Sequence, residues 1–348
     1  MVEREVIRRI IIEGQEFVNE ISLTERPFFF EQKGNYVFVG IRQAGKSYLL
    51  YQRIQQLLRE EHNINEIVYI NFDDERLRQM TADDLDLILQ AYHSLFDLRP
   101  LLFFDEIQNI EGWEHFARRL ANQKYNIYIT GSNAKMLSRE IATTLGGRFW
   151  NKDVYPYSFA EYLNARNIIL SKNWMYGKQA AEVSKAFNDY FLYGGFPELT
   201  DVIAKRVWLN DIYSKIFFSD LIVRNKVRNE EALGLLVRRL AENVKQPISY
   251  TRLANLISSI GIKISKATVI EFIRYLKESC LIFPIENYAA KFAERNSNMK
   301  HYFIDNGLLS IFLLDGNTSL LENIVAIHLY KRYGAQLYFY NQNIEVDF

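Results

Sequence analysis

The segment GIRQAGKS, residues 40–47, constrains the fold more than any other part of this chain. It fits the pattern G-x-x-x-x-G-K-[ST] at every fixed position, with an apolar strand-like run at 36–39 before it and a helical pattern at 48–61 after it. The alternative is an ordinary strand-to-helix turn. The flanking strand and helix favour a phosphate-binding loop, in which the glycines let the backbone wrap an anion at a helix N-terminus.

The loop predicts roles for individual residues. Lys46 is expected to reach the β- and γ-phosphates of a nucleotide, and the Ser47 hydroxyl to bind Mg²⁺. ATP and Mg²⁺ are therefore the expected cofactors. The nucleotide-contacting positions are predicted to be Gly40, Ile41, Arg42, Gln43, Ala44, Gly45, Lys46, Ser47 and Tyr48.

A second segment, LLFFDEIQ at 101–108, has four apolar residues followed by two adjacent carboxylates. Ligands of an open α/β sheet bind beyond the carboxyl ends of its strands, which is where these acids would lie. Asp105 is predicted to hold Mg²⁺ through water, and Glu106 to orient and deprotonate the attacking water. The alternative is a helix cap, in which either acid accepts backbone N–H bonds.

Three further positions are candidates for the same site. NIYITGSN reads as a strand with small polar residues at its tip, so Ser132 or Asn133 is expected beside the γ-phosphate. Arg148 in GGRFW is predicted to stabilise transition-state charge, in its own subunit or in a neighbouring one, with Arg139 as the second choice. A turn and a solvated arginine are the respective alternatives.

The spacing of apolar residues predicts an α/β fold. Short apolar runs alternate with helical patterns up to residue 150, which indicates a parallel sheet with helices on both faces. A helical region with a winged-helix pattern and a small α+β segment are expected to follow. The predicted strands are 36–39, 67–71, 101–104 and 127–130.

The chain is predicted to divide into four parts. These are an ATPase core at 1–155, a helical lid at 156–228, a winged-helix-like domain at 229–300 and a carboxyl-terminal segment at 301–348.

Charge and composition limit the partners and the location. The 42 basic and 42 acidic residues balance, so no overall field attracts the protein to nucleic acid or to an anionic membrane. No apolar run approaches the ~18 residues that a membrane-spanning helix needs. The single cysteine, Cys280, cannot form an intramolecular disulfide. A cytoplasmic protein without membrane association is expected.

Residues 231–290 follow a helix, turn, helix, turn, helix, strand pattern that is typical of a winged helix. Ser265 is predicted to cap the third helix, which would present Lys266, Thr268 and Arg274. Residues 201–300 carry 17 Lys and Arg against 10 Asp and Glu, a local excess of basic charge. Duplex DNA is therefore a candidate partner for 231–290, and a protein contact or a plain helical bundle is the alternative.

The chain resembles the AAA-type ATPases of bacteria and archaea that carry a carboxyl-terminal domain of unknown function. The matching segments span nearly the whole sequence and include YGGFPEL, LENIVAIHL and IEVDF. The segments DEIQNIEGWE and ITGSNAKMLSREI are far more specific than the phosphate loop alone. The resemblance implies that Pro197, with Phe196, lines the adenine pocket. Without it, GGFP is a helix stop followed by a turn.

The last segment resembles a restriction-endonuclease-like core, which implies Glu322 and Asp347 as metal ligands. That pattern also requires an acid and a lysine on a following strand, and the sequence stops before one. A scaffold strand is therefore the favoured interpretation, and Asp305 in FIDNGL is expected to form a turn.

The sequence as a whole predicts a Mg²⁺-dependent ATPase that acts as a switch on its helical and winged-helix portion. A nucleotide-regulated DNA-binding module with little turnover is the main alternative. An ATP-dependent nuclease is a third possibility, and it depends on residues beyond 348. A protein partner and an oligomeric state are compatible with each of these hypotheses.

Overall fold

The computed structural model describes residues 3–132, 136, 139–291, 295 and 297–348. Two compact units share these residues. The first comprises Met1–Gly40 and Gly45–Val154, and the second comprises Ile41–Ala44 and Tyr155–Phe348. Four residues inside the phosphate loop thus belong, by their contacts, to the second unit. The division of residues 156–348 into a helical lid, a winged-helix-like domain and a carboxyl-terminal segment stays a prediction.

The first unit is an α/β layer structure, as expected. Its elements in chain order are α1 Arg4–Glu20, β1 Tyr36–Val39, α2 Lys46–Arg59, β2 Ile67–Asn71, α3 Asp86–His93, β3 Leu101–Asp105, α4 Trp113–Asn122, β4 Ile127–Gly131, α5 Arg139–Leu145 and β5 Trp150–Asp153. The strands form one parallel sheet in the order β2-β3-β4-β1-β5.

The apolar runs of β1, β3 and β4 are buried throughout because helices cover the sheet. The four predicted strands are confirmed. The fifth strand, β5, was not predicted, since its sequence is WNKD and most of its residues are exposed. It lies at the edge of the sheet and pairs only with β1 among the described strands. An edge strand does not need the continuous apolar run that identifies a central one.

Parallel pairing gives the sheet two chemically different edges. The phosphate loop and Ser132 follow the carboxyl ends of β1 and β4, and Asp105 is the last residue of β3. Arg148 precedes β5, and Asn35 precedes β1, so both belong to the amino edge. The topology therefore collects the predicted phosphate and metal ligands at one edge of the sheet.

The second unit begins with helices. These are α6 Phe159–Ala165, α7 Lys178–Tyr193, α8 Lys205–Lys215, a π-helix at Ile216–Val223, α9 Glu230–Glu242, α10 Tyr250–Ser258 and α11 Lys266–Glu278. Their apolar faces are buried, and Ser265 caps α11 by accepting a hydrogen bond from the Thr268 N–H at 3.0 Å. That capping prediction is confirmed.

A second sheet completes this unit. Its elements are β6 Ile248–Ser249, β7 Ile282–Asn287, β8 Asn298–Phe303, β9 Tyr338–Asn341 and β10 Glu345–Val346, with helices α12 Asn306–Ser310 and α13 Asn317–Tyr333 between β8 and β9. The order is β10-β9-β7-β8-β6, and the β7–β9 pair is parallel while the others are antiparallel. Among the residues given above as described, no helix is both long and apolar enough to cross a membrane.

Candidate functional site

The phosphate loop has the backbone geometry that its glycines predict. Gly45 immediately precedes α2 with φ +90°, a left-handed conformation that favours glycine. A Cβ on Gly40 would lie 2.0 Å from the Val154 carbonyl oxygen, so no larger residue fits there without a shift of backbone. At Gly40 the loop therefore runs closer to neighbouring backbone than a residue with a side chain would allow.

Lys46 is held inside the loop. Its side chain is 4% exposed, and its Nζ donates to the Gly40 carbonyl at 3.1 Å. The same Nζ lies 3.8 Å from Glu106 Oε1. A buried ammonium is stabilised by negative charge around it, which is what the phosphates of a nucleotide supply.

Asp105 is buried at the end of β3, within hydrogen-bond distance of Ser47 in the first turn of α2. Its carboxylate accepts hydrogen bonds from Tyr69 Oη at 2.9 Å, from Thr130 Oγ1 and from the Ser47 hydroxyl. Burial raises the pKa of Asp105, and the neighbouring Glu106 charge raises it further, while these hydrogen bonds oppose the change. A nearby cation favours the charged form of a carboxylate, so Asp105 and Ser47 fit a Mg²⁺ ion.

Glu106 follows in an unusual backbone conformation. Its φ is +53°, and its N–H donates to Thr130 Oγ1 at 3.0 Å. Its Oε2 accepts from Ser132 Oγ at 3.0 Å and from Gln108 Nε2. The carboxylate is therefore oriented by three neighbours, Ser132, Gln108 and Lys46.

Sequence reasoning missed three of these supporting residues. Tyr69, Thr130 and Gln108 orient the two acids, and none belongs to a fixed position of the phosphate-loop pattern. The Gln108 Oε1 atom is buried without a hydrogen-bond partner in the part of the chain that the structure describes. Its only sequence signal was its place two residues after Glu106, which is too weak to assign a role.

The remaining predicted catalytic positions have different outcomes. Ser132 contacts Glu106, whereas Asn133 and the side chain of Arg139 lie outside the described residues. Arg148 lies at the amino edge, where its carbonyl accepts from Asn35 Nδ2 at 3.3 Å and its Nη1 donates to Gly146 O. The prediction that it serves the phosphate site of its own subunit is therefore not supported, because the loop follows the opposite end of β1.

Arg42 makes an ion pair that the loop pattern does not predict. Its Nε and Nη2 donate to the two carboxylate oxygens of Asp220, each at 3.0 Å. Asp220 lies in the π-helix, is 3% exposed and also pairs with Arg224 at 2.9 Å. A phosphate-loop side chain is thus fixed by a two-point contact to an irregular helical segment, a kind of helix distortion that is frequent at functional sites.

The predicted adenine-pocket residues lie in the second unit. Phe196 is fully buried, with its ring centroid 5.3 Å from that of Trp208. The suggestion that Phe196 contacts the base is therefore wrong for this conformation, since the side chain has no accessible surface. Pro197 begins a short 3₁₀-helix and is partly exposed, so its role stays a prediction.

The carboxyl-terminal carboxylates surround a lysine. Lys300 is fully buried, and its Nζ lies 2.7 Å from Asp347 Oδ1, 3.3 Å from Glu322 Oε1 and 3.6 Å from Glu345 Oε1. Tyr302 Oη also donates to Glu322 at 2.7 Å. The restriction-endonuclease-like pattern predicted a lysine on a strand after this segment, whereas Lys300 lies on β8, earlier in the chain. No cluster of three or more acids, histidines and cysteines with metal-binding geometry exists among the described residues.

Asp305 is more than a turn residue. It caps α12 by accepting from the Gly307 N–H at 2.8 Å, and its other oxygen accepts from the Gly195 N–H at 2.8 Å. Burial raises its pKa to about 6 despite these bonds. The side chain therefore ties the backbone after α7 to the start of α12.

The candidate DNA-contacting residues are only partly free to bind. Lys266 and Arg274 are exposed on α11, but the Arg274 guanidinium lies 3.7 Å from Glu271 and 3.9 Å from Glu278. The two acids offset much of the positive charge on that face. Contact with duplex DNA stays a prediction.

Comparisons with known proteins agree with this geometry. Residues 32–163 match the model of an AAA domain, and residues 184–319 match a domain of unknown function, DUF8612. An uncharacterized protein of Methanocaldococcus jannaschii is 32% identical over 359 residues, covering 100% of this chain and 80% of the relative. An uncharacterized protein of Haemophilus influenzae is 31% identical over 304 residues, covering 85% and 74%.

Among solved structures, a Walker-type ATPase of Pyrococcus abyssi is 14% identical with a TM-score of 0.49, covering 90% of this chain and 96% of the other. The match over the full chain to the archaeal relative, together with the AAA-domain match over the phosphate loop and the Asp105–Glu106 pair, identifies the group. The chain belongs to the family of AAA-type P-loop ATPases that carry a carboxyl-terminal domain of unknown function.

Proposed function

We propose that the protein is a Mg²⁺-dependent ATPase in which nucleotide binding and hydrolysis act as a switch. Lys46 and the loop backbone from Gly40 to Ser47 bind the phosphates. Ser47 and Asp105 hold the metal ion, which neutralises charge on the β- and γ-phosphates when it is bound. Glu106 orients a water molecule and accepts its proton.

The observation that carries this proposal is the arrangement around Glu106. A general base must lie within hydrogen-bond reach of the water it activates and must be held in place. Glu106 is fixed by Ser132 and Gln108, while Lys46 lies 3.8 Å from its other oxygen. Phosphates bound to Lys46 would therefore bring the γ-phosphate next to this carboxylate.

The test is phosphate release from Mg-ATP by the parent protein and by Glu106→Gln. Removing a general base costs roughly 10²- to 10⁴-fold in kcat, and ATP affinity should change little because the substituted side chain is not a phosphate ligand. Glu111→Gln is the matched control, since Glu111 is an exposed acid of the same segment. Equal turnover by Glu106→Gln and the parent would refute the proposed role.

Lys46→Ala tests the binding step separately. Loss of its ammonium should weaken ATP binding in equilibrium titration, whereas Glu106→Gln should not. A Lys46→Ala protein that binds ATP as tightly as the parent would mean that the loop is only a strand-to-helix turn. The two variants therefore distinguish failure of binding from failure of catalysis.

A second candidate is a nucleotide-regulated DNA-binding module with little turnover. The excess of basic residues in 201–300, with 17 Lys and Arg against 10 Asp and Glu, favours it. Adding duplex DNA to the phosphate-release assay separates the candidates. Stimulation by DNA indicates an ATPase coupled to nucleic acid, and salt-dependent binding with negligible release favours the second candidate. Turnover that ignores DNA directs the search to a protein partner.

A further inference from the structure

A basic cleft lies at the amino edge of the parallel sheet, within the first unit and at the edge opposite to the phosphate loop. Its cavity volume is about 1030 Å³. The loops that enter β1, β3, β4 and β5 each bring one cation to its lining, namely Lys33, Arg99, Lys124 and Arg148. Parallel pairing gathers these four loops at one place, although the residues are far apart in sequence.

The charge of this basic cleft is not balanced. Glu60 is the only acid among the lining residues, and it already pairs with the lining residue Arg53 at 3.2 Å. No carboxylate of the described residues lies within ion-pair distance of Lys33, Arg99, Lys124 or Arg148. The cleft thus holds a local excess of four positive charges in a chain whose net charge is zero. Like charges around one concave surface repel each other, and a bound polyanion relieves that repulsion.

The rest of the lining indicates which polyanion fits. Arg99 lies over the ring of Tyr125 at 4.5 Å, and this partly exposed aromatic faces the cleft together with side-chain amides such as Asn122 and Asn126. Aromatic and guanidinium planes stack on unpaired bases, and amides donate to and accept from base edges. Those contacts need bases that are free of a duplex stack, whereas phosphate contacts alone do not.

We propose that this basic cleft binds a single strand of nucleic acid, with Lys33, Arg99, Lys124 and Arg148 on the phosphates and Tyr125 beneath a base. This surface is distinct from the winged-helix-like residues 231–290, and it is separate from the phosphate loop. The inference does not depend on ATP hydrolysis, because the four cations lie at the edge of the sheet opposite to the phosphate loop.

The test is fluorescence anisotropy of a labelled thymidine oligomer of about 20 nucleotides, titrated with the full chain in the absence of ATP. Each neutralised phosphate of a single strand contributes about −0.7 to the slope of log K against log salt, so four contacts predict a slope of about −3 between roughly 50 and 200 mM salt. The double variant Lys33→Gln/Lys124→Gln should reduce the slope to about −1.4. Arg99 and Arg148 are left unchanged, so that two of the four phosphate contacts remain.

Arg118→Gln is the matched control, since Arg118 is an exposed cation of the same unit outside the cleft. It should bind the oligomer as the parent does. Tyr125→Leu, which keeps an apolar side chain, should weaken binding without changing the salt slope, because stacking involves no counterion release. Thermal unfolding of each variant verifies that the unit is folded.

Three results would overturn the proposal. The first is equal affinity and equal salt slope for the double variant and Arg118→Gln. The second is tighter binding of a duplex of the same length than of the single strand. The third is loss of binding in a Lys266→Gln/Arg274→Gln protein while the cleft variants bind normally, which would assign the contact to the winged-helix-like region. None of these results depends on whether Glu106 supports hydrolysis.

Discussion

From the ion pair between Arg42 and Asp220 we predict that the phosphate loop is preorganised for ATP binding by its side chain Arg42. Two parallel N–H···O bonds of 3.0 Å join the guanidinium to a carboxylate that is 3% exposed. If this contact fixes the loop, then weakening it should reduce both stability and ATP affinity, since the loop would have to be ordered by the nucleotide instead.

The magnitude follows from burial. Removing one partner of a fully buried pair costs about 3–5 kcal/mol, because the other charge is left uncompensated. Arg42→Gln should cost less, about 1–2 kcal/mol, since Arg42 is one-third exposed and Asp220 keeps its contact with Arg224. Asp220→Asn leaves two arginines without their shared carboxylate and should cost about 2–4 kcal/mol.

A double-mutant cycle measures the pair directly. Urea unfolding of the parent, Arg42→Gln, Asp220→Asn and the double variant should give a coupling free energy of about 1–2 kcal/mol. Equilibrium titration with ATP should show a Kd raised about tenfold for each 1.4 kcal/mol of lost preorganisation. Arg42→Lys retains the charge but not the two-point geometry, so it should fall between the parent and Arg42→Gln.

The reasoning would be refuted by additive effects within about 0.3–0.5 kcal/mol, the scatter expected for independent sites. Unchanged ATP affinity in Asp220→Asn, together with a large loss of stability, would show that the pair stabilises the fold without preparing the loop. Arg239, whose ion pair with Glu242 is on the surface of the second unit, offers a control, and Arg239→Gln should change neither quantity by more than about 0.5 kcal/mol.

Three further predictions concern buried groups. Burial, and secondarily Lys277, lower the pKa of His301 to about 4, so protonation of the unfolded chain should remove about 3 kcal/mol of stability as the pH falls from about 6.5 to about 4. His301→Leu should abolish that part of the pH dependence in urea unfolding, and an unaltered slope would contradict the assignment. Lys300→Met should lower the free energy of unfolding by about 1–3 kcal/mol in the same assay. This figure is smaller than for a fully buried cluster, because two of the three surrounding carboxylates are about half exposed. An unchanged free energy of unfolding would mean that water replaces the ammonium at no cost. Gly40→Ala should lower the free energy of unfolding by more than about 2 kcal/mol and abolish ATP binding, because the new Cβ would meet the Val154 carbonyl. ATP binding by this variant with the parent's affinity would disprove the close approach.

Local chemistry in the sequence was sufficient for much of the first unit. The four predicted strands, β1 to β4, were identified from their apolar runs, because a strand covered on both faces is mostly apolar along its length. The phosphate loop was identified because glycines and Lys46 have fixed positions along one continuous segment. The cap at Ser265 was predicted for the same reason, since donor and acceptor are three residues apart.

Only the tertiary structure determined which distant residues meet. Tyr69 and Thr130 orient Asp105 from neighbouring strands, and Asp220 reaches Arg42 across 178 residues of sequence. No periodicity or motif encodes such pairs, since they depend on strand order and register. The position of Arg148 followed from the same cause: the direction of β5 in the sheet placed it at the edge opposite to the loop, among cations contributed by other loops.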